Sequence, residues 1–353
     1  MKIIKYKIKK GENLTSIAEK FNVDSEELKM FHNTHSGFSN MIISDSLPLH
    51  LHTIFIEQNI FENSLIKNEK MESLNFERVA RYRCEQLNIS RINNEIITLS
   101  ANTIYEFLVK KAENTNIFEV ELTDSDFSVE PAIYESGFLF AQKLEKLKLP
   151  INFNISGQAF IKEIFNHQEI ENRWMKFRDH ELQNTDIYQQ LVSQSPKQAE
   201  DIINTGNKEF LDQDNFIKMM DKNLFFHIFT KAFLGEQLQN YRLQQFSQIF
   251  PNVDLKTDVT KSVVREDENT ATYRLVGTLN RENISEDTLK NLYDTIYKSS
   301  LKFNYTTFDF IYRITYTVDK ETGLLQEGKA SIAEKIKNNF EVITEYNIKK
   351  VEL

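Results

Sequence analysis

At 353 residues and 41.6 kDa the chain can bury a sizeable core and more than one domain, and its 40% hydrophobic and 27% charged residues are the balance of an ordinary soluble globular protein. A net charge of −9 disfavours nonspecific nucleic-acid binding, and nine glycines with five prolines leave little for flexible, collagen-like or disordered stretches. The single cysteine, Cys84, excludes an intramolecular disulfide and a cysteine-based zinc site, and no window approaches the roughly 18 apolar residues of a membrane span.

The opening MKIIKYKIKKGENL carries lysines but neither an apolar run of signal-peptide length nor a small-residue cleavage site. The expectation is therefore a cytoplasmic product that leaves the cell, if at all, through a dedicated secretion machine. Tyr6 and Ile8 alternate with Lys5, Lys7 and Lys9, which predicts a half-buried strand ended by Gly11. Leu14, Ile17, Ala18 and Phe21 recur at helical spacing and give a short helix one apolar stripe. In VDSEELKMF, Asp24 is placed to cap a second helix with Glu27 three residues on, and Leu28 and Phe31 direct it into the same core. After a polar loop, Met41-Ile42-Ile43 and Leu47-Pro48-Leu49-His50-Leu51 read as a returning strand, so the module is βααβ.

This pattern resembles the LysM family. The residues that carry the resemblance are Tyr6, Ile8, Gly11, Leu14, Ile17, Ala18, Phe21, Val23, Leu28, Asn33, Met41, Ile42 and Leu47. Gly11-Glu12-Asn13-Leu14 stands where many LysM modules have Gly-Asp-Thr-Leu, and Asp45 replaces the usual glycine before the final strand. The resemblance implies binding to N-acetylglucosamine polymers, chiefly peptidoglycan or chitin. It places one wall of the groove at Gly11, Glu12, Asn13 and Leu14 and the other at Asn40, Met41 and Ile42. Backbone amides and a shallow apolar ledge are a physically suitable receptor for acetamido groups. LysM modules also serve as docking units in phage-tail-like assemblies, and Leu14 and Ile42 are equally core residues.

Beyond the module (1–56), residues 57–78 read as a connector and 79–353 as a larger α+β domain. RYRCEQLNIS, EIITLSANTIYEFLVKK and NIFEVELTD are strand-rich, with Tyr105, Phe107 and Val109 alternating and Phe118, Val120 and Leu122 doing the same. A helix is expected over Ile133 to Lys148, stopped at Leu149-Pro150, and a strand over Ile151, Phe153 and Ile155. A helical region follows from about His167 to Leu238, interrupted at Asn204-Thr205-Gly206-Asn207. In the last part Phe308, Phe310, Tyr312, Ile314, Tyr316 and Val318 alternate strictly before the turn Asp319–Gly323, and FEVITEYNIKKVEL supplies a final strand. The order is β-rich (79–156), helical (167–238), β-rich (262–353): antiparallel sheet halves flanking central helices, loosely the element order of lipoprotein-carrier scaffolds. The aromatic face of the Phe308–Val318 strand is core or the lining of a ligand cavity.

No HExxH, Walker A, GxSxG or GxGxxG motif and no muramidase or papain-like signature is present, so no enzyme, cofactor or metal is expected, and a cell-wall hydrolase is the minor reading. His32, His35, His50 and His52 crowd one window and read as exposed surface residues, with His50 and His52 on one strand face. Cys84 and Trp174 read as core. The functional expectation is a non-catalytic binder of peptidoglycan or a related N-acetylglucosamine polymer. The alternative is an adaptor, accessory or effector of a contractile phage-tail-like or type VI-like secretion system, with partners among its tail-like proteins.

Overall fold

The computed structural model describes residues 3–9, 12–21, 23–37, 40–44, 46–57, 74–113, 115–251 and 253–352. Two compact units result, Met1–Asn75 and Phe76–Leu353. Most of the expected connector lies outside the described residues.

In the first unit, β1 (Ile3–Lys7) pairs antiparallel with β2 (Thr53–Glu57), Tyr6 opposite Ile54 and Ile4 opposite Ile56. Between them come α1 (Leu14–Lys20) and α2 (Ser25–His35), the latter capped by the Asp24 carboxylate, which accepts from the Glu26 and Glu27 amides. Leu14, Ile17, Phe21, Leu28, Ile42 and Ile54 meet in one small core. The order βααβ is as expected, but the returning strand is not where the apolar run stands. The described residues of 41–51 are irregular, and the strand is Thr53–Glu57, whose burial alternates. Ile42 and Leu51 are buried as isolated anchors, while Ile43 and Leu49 are exposed. A run with buried and exposed apolar residues out of two-residue step cannot lie on a sheet face.

The second unit is built on an 11-stranded antiparallel sheet. Its N-terminal half comprises β3 (Phe76–Ile92), β4 (Ile96–Ala112), β5 (Ile117–Glu130), β6 (Ile151–Ile155) and β7 (Ile161–Ile164). Its C-terminal half comprises β8 (Tyr241–Phe246), β9 (Asp254–Glu266), β10 (Thr270–Leu279), β11 (Phe308–Asp319), β12 (Leu325–Ile336) and β13 (Phe340–Val351). The order β7-β6-β5-β4-β3-β13-β12-β11-β10-β9-β8 joins first and last strands at the centre, so one sheet spans both halves. The C-terminal half already begins at Tyr241 and carries helices of its own, α9 (Glu286–Ile296) and α10 (Lys298–Leu301), over a satellite core of Phe250, Leu289, Tyr293 and Phe308.

The intervening helices are α3 (Glu135–Lys148), α4 (His167–His180), α5 (Asp186–Gln194), α6 (Pro196–Phe210), α7 (Gln213–Lys222) and α8 (Leu224–Leu234). In α8, LFFHIFTKAFL is apolar nearly all round, and every residue from Phe225 to Ala232 is buried. Phe225 stacks on Phe107 at 4.2 Å and meets Tyr82 edge-on, while Phe229 meets Phe118 at 5.2 Å. The stripe Tyr312, Ile314, Tyr316, Val318 faces this helical layer and is core.

One expected break is absent: Asn204-Thr205-Gly206-Asn207 runs through the interior of α6. Gly206 is there for packing, since a Cβ at that position would stand 2.2 Å from Cη2 and Cζ2 of Trp174. The helices are instead separated at 181–185, at Ser195, at Leu211-Asp212 and at Asn223, whose side-chain oxygen accepts from the Phe225 amide to start α8.

Candidate functional site

The first rim of the candidate groove begins where β1 ends. The Glu12 amide donates to Lys9 O (3.2 Å), and its carboxylate accepts from the Lys9 amide (2.6 Å), the Tyr6 hydroxyl (2.6 Å) and Lys20 Nζ (3.2 Å). Lys20 Nζ also donates to Tyr6 Oη (2.6 Å) and lies 4.7 Å from its ring centroid. Desolvation pushes the Glu12 carboxyl up, but the Tyr6, Lys9 and Lys20 donors outweigh it and hold it below the usual carboxylate range. Burial, then the Glu12 bond and charge, drive the Tyr6 phenol upward. Glu12 thus ties strand, turn and helix together, and its acceptors are engaged.

Asn13 caps α1: its Oδ1 accepts from the Ser16 amide (2.8 Å), and the Ser16 hydroxyl accepts from the Asn13 amide (2.9 Å). This is a reciprocal capping arrangement with serine at the third helical position. Asn13 Nδ2 makes no bond among the described residues, so the cap leaves an amide donor over. Gly11 lies outside the described residues.

The second rim is held from α2. His32, only 1% exposed, brings its Nε2 to Asn40 O (3.0 Å) while its Nδ1 accepts the Phe55 amide (3.0 Å), which assigns the proton to Nε2. Burial depresses the pKa of this imidazole, against the opposing pull of the Asn40 carbonyl. Asn33 grips the next link with both ends of its amide, Nδ2 to Ile42 O (2.8 Å) and Oδ1 from the Ile42 amide (2.7 Å). Leu14 and Ile42, one from each rim, enter the same core at 2% and 1% exposure. Met41 is half-buried and Asn40 exposed.

The four clustered histidines are therefore not all surface residues. His32 is a buried strut, four residues beyond Leu28 on the inward face of α2, a spacing that signals burial. His35 folds back on its own helix through Nδ1 to Phe31 O (2.8 Å). His50 and His52 are exposed and lie outside the strand, so they share no strand face. No group of metal-ligating side chains forms among the described residues.

The large unit holds a titratable cluster that the sequence pattern does not announce. His227 Nε2 is 2.9 Å from both the Tyr241 and Tyr312 hydroxyls, and Nδ1 is 3.1 Å from Asp221 O. Lys231 donates to Ala159 O (2.5 Å) with its ammonium 3.8 Å from the Phe160 ring centroid, and Asp221 accepts the Ile161 amide (3.1 Å). Burial pushes His227 down to about 3 and Lys231 down to about 8, and lifts Asp221 to about 6. These groups pin α8 to β8, β11 and the turn at Ala159 and pin α7 to β7, and burial holds the imidazole neutral.

Among solved structures, one titled "Lipid-protein interactions in lipovitellin" is similar at a TM-score of 0.35 and 11% identity, covering 79% of this chain and 26% of that one, a likeness too loose to bear on function. No curated protein matches the chain in sequence. The family model described as "LysM domain" matches residues 6–30, which span the Glu12 turn, the capped α1 and the first half of α2, and this supports a peptidoglycan- and N-acetylglucosamine-binding module at the N-terminus.

Proposed function

We propose that this chain is a non-catalytic binding protein whose N-terminal module takes N-acetylglucosamine-containing glycan, peptidoglycan in particular, between the rims at 11–14 and 40–42. The observation that carries this reading is the LysM match over residues 6–30. The geometry supports it: both rims are anchored in one core and braced by side chains, so little ordering entropy remains to be lost when a glycan binds. Because Glu12 Oε1 and Oε2, Asn40 O and the Ile42 backbone are engaged, the groups available to an acetamido-sugar are Asn13 Nδ2, the Asn40 side chain and the Met41 side chain with its backbone. Glu12, Leu14 and Ile42 then shape the groove and do not grip the sugar.

The test is co-sedimentation of the full chain with insoluble peptidoglycan. Asn13→Asp keeps the capping oxygen and exchanges the free amide donor for a negatively charged carboxylate oxygen, so retention should fall several-fold while the fold persists. Equal retention of the variant would remove Asn13 from the site, and no retention of the unmodified chain would refute glycan binding.

A further inference from the structure

Within the large unit, a cleft of about 610 Å³ opens between the helix-bearing face of the sheet, one face of α3, the α7–α8 junction and the end of β8. Its floor departs from the rule of the surrounding core. The inward face of β3 runs Ala80, Tyr82 and Cys84, all fully buried, and then continues with Gln86 and Asn88. On β4 the same face runs Val109, Phe107 and Tyr105 to Thr103, and on β13 it runs Ile348 and Tyr346 to Thr344. Gln86 stands opposite Thr103 and, two residues on, Asn88 opposite Thr344, so amide and hydroxyl groups spread over three adjacent strands at two successive levels, beside Tyr346 and Ala101.

A core needs no such row, because amides drawn half out of water stabilise little unless they find partners. Here they partner each other in a way that leaves groups over. Asn88 Oδ1 accepts from Gln86 Nε2 (3.1 Å) and from the Thr344 hydroxyl (2.9 Å). Asn88 Nδ2 and Gln86 Oε1 form no bond among the described residues, which leaves an oriented donor beside an oriented acceptor. The α3 wall presents Phe138, Ala141, Gln142 and Glu145, a single helix stripe, and the Phe138 ring stacks on Phe127 at 5.9 Å and 23°. Of the two charged lining residues, Glu145 accepts from Lys148 (2.7 Å), and exposed Lys222 holds its ammonium 4.6 Å from the Phe246 ring centroid.

We infer that this cleft is a second binding site, independent of the N-terminal module, and that its ligand is a short neutral saccharide. The amide and threonine row meets hydroxyl or acetamido groups, and the Phe127, Phe138, Tyr105 and Phe246 rings offer faces for the apolar side of a sugar ring. A lipid tail would leave that polar row without partners, and the amide and hydroxyl row itself offers no charge to an ionic ligand. The volume lies within the ~300–1,000 Å³ of small-molecule sites.

Calorimetric titration of the full chain with glucose, maltose and cellobiose, which lack the acetamido group proposed for the N-terminal module, tests this. At least one sugar should bind. Asn88→Leu, which removes the oriented donor, should weaken it about tenfold or more. Ala141→Trp, at an exposed helix position, should plug the cleft with no core residue changed, so it decides the matter if Asn88→Leu misfolds. Asn13→Asp, which reads only the N-terminal module, should leave this binding unchanged. The inference is overturned if no sugar binds, if binding survives Ala141→Trp, if Asn13→Asp alone abolishes it, or if oleate binds in the cleft and sugars do not.

Discussion

Gly206→Ala sets two ordinary effects against each other at a place where the structure says which wins. In an exposed helix the substitution stabilises by about 1 kcal/mol through helix propensity. Gly206 is buried in α6, and the new Cβ would stand 2.2 Å from two ring atoms of Trp174. That indole cannot step aside cheaply: it is 1% exposed, stacked on Phe210 at 5.0 Å and 7°, and tied by Nε1 to Asn207 Oδ1 at 3.0 Å. Overpacking of a dense core costs about 1–3 kcal/mol, and a backbone-mounted methyl against a trapped ring belongs at the upper end. The net is a destabilisation of about 2 kcal/mol. Trp174 is the sole tryptophan, so its fluorescence during urea denaturation reports the unfolding of the large unit alone. The midpoint should fall. With Trp174→Leu already in place, the same glycine substitution should become neutral or stabilising by circular dichroism. A raised midpoint in the otherwise unmodified chain would refute the packing argument.

Two further outcomes concern the rims of the glycan groove. Asn33→Ala strips both partners from the buried Ile42 backbone and should cost the module about 1–3 kcal/mol; amide exchange at Ile42 measures this, and unchanged exchange contradicts it. Glu12 has a folded pKa below its unfolded value of about 4.3, so its contribution is present above that pH and is lost as pH falls through the folded value. Protection of the Lys9 amide, which donates to that carboxylate, should therefore fall, relative to its intrinsic exchange rate, as pH drops through the lowered folded value, and lose this pH dependence in Glu12→Gln. A Lys9 amide indifferent to acid would show that the Tyr6–Glu12–Lys20 tie adds nothing.

Element type was legible wherever one period dominated. The two-residue alternation of Phe308 to Val318, the helical stripe of α1, the cap at Asp24 and the stop at Leu149-Pro150 all stand as the residues dictate. The returning strand of the small module lies at 53–57, where burial alternates cleanly, and not in the more apolar stretch 41–51, whose buried residues keep no two-residue step. A break was expected at Gly206 because glycine in a helix normally signals weakness, whereas here it makes room for a distant indole. His32 is a strut because Phe55 and Asn40 both present backbone groups to it, a convergence of segments far apart in the chain.

By itself, then, the sequence determined local character: period, caps, turns, and a LysM-like signature strong enough in Tyr6, Leu14, Ile17 and Leu28 to name the kind of module. Those signals are local because they arise from backbone geometry and nearest neighbours. Only the tertiary structure decided the pairing of first and last strands at the centre of the sheet, the buried clasp around His227, and the adjoining levels at which Gln86 meets Thr103 and Asn88 meets Thr344. Each of these depends on contacts between residues far apart in the chain, whose free energy appears only when packing brings them together, and no short window carries that information.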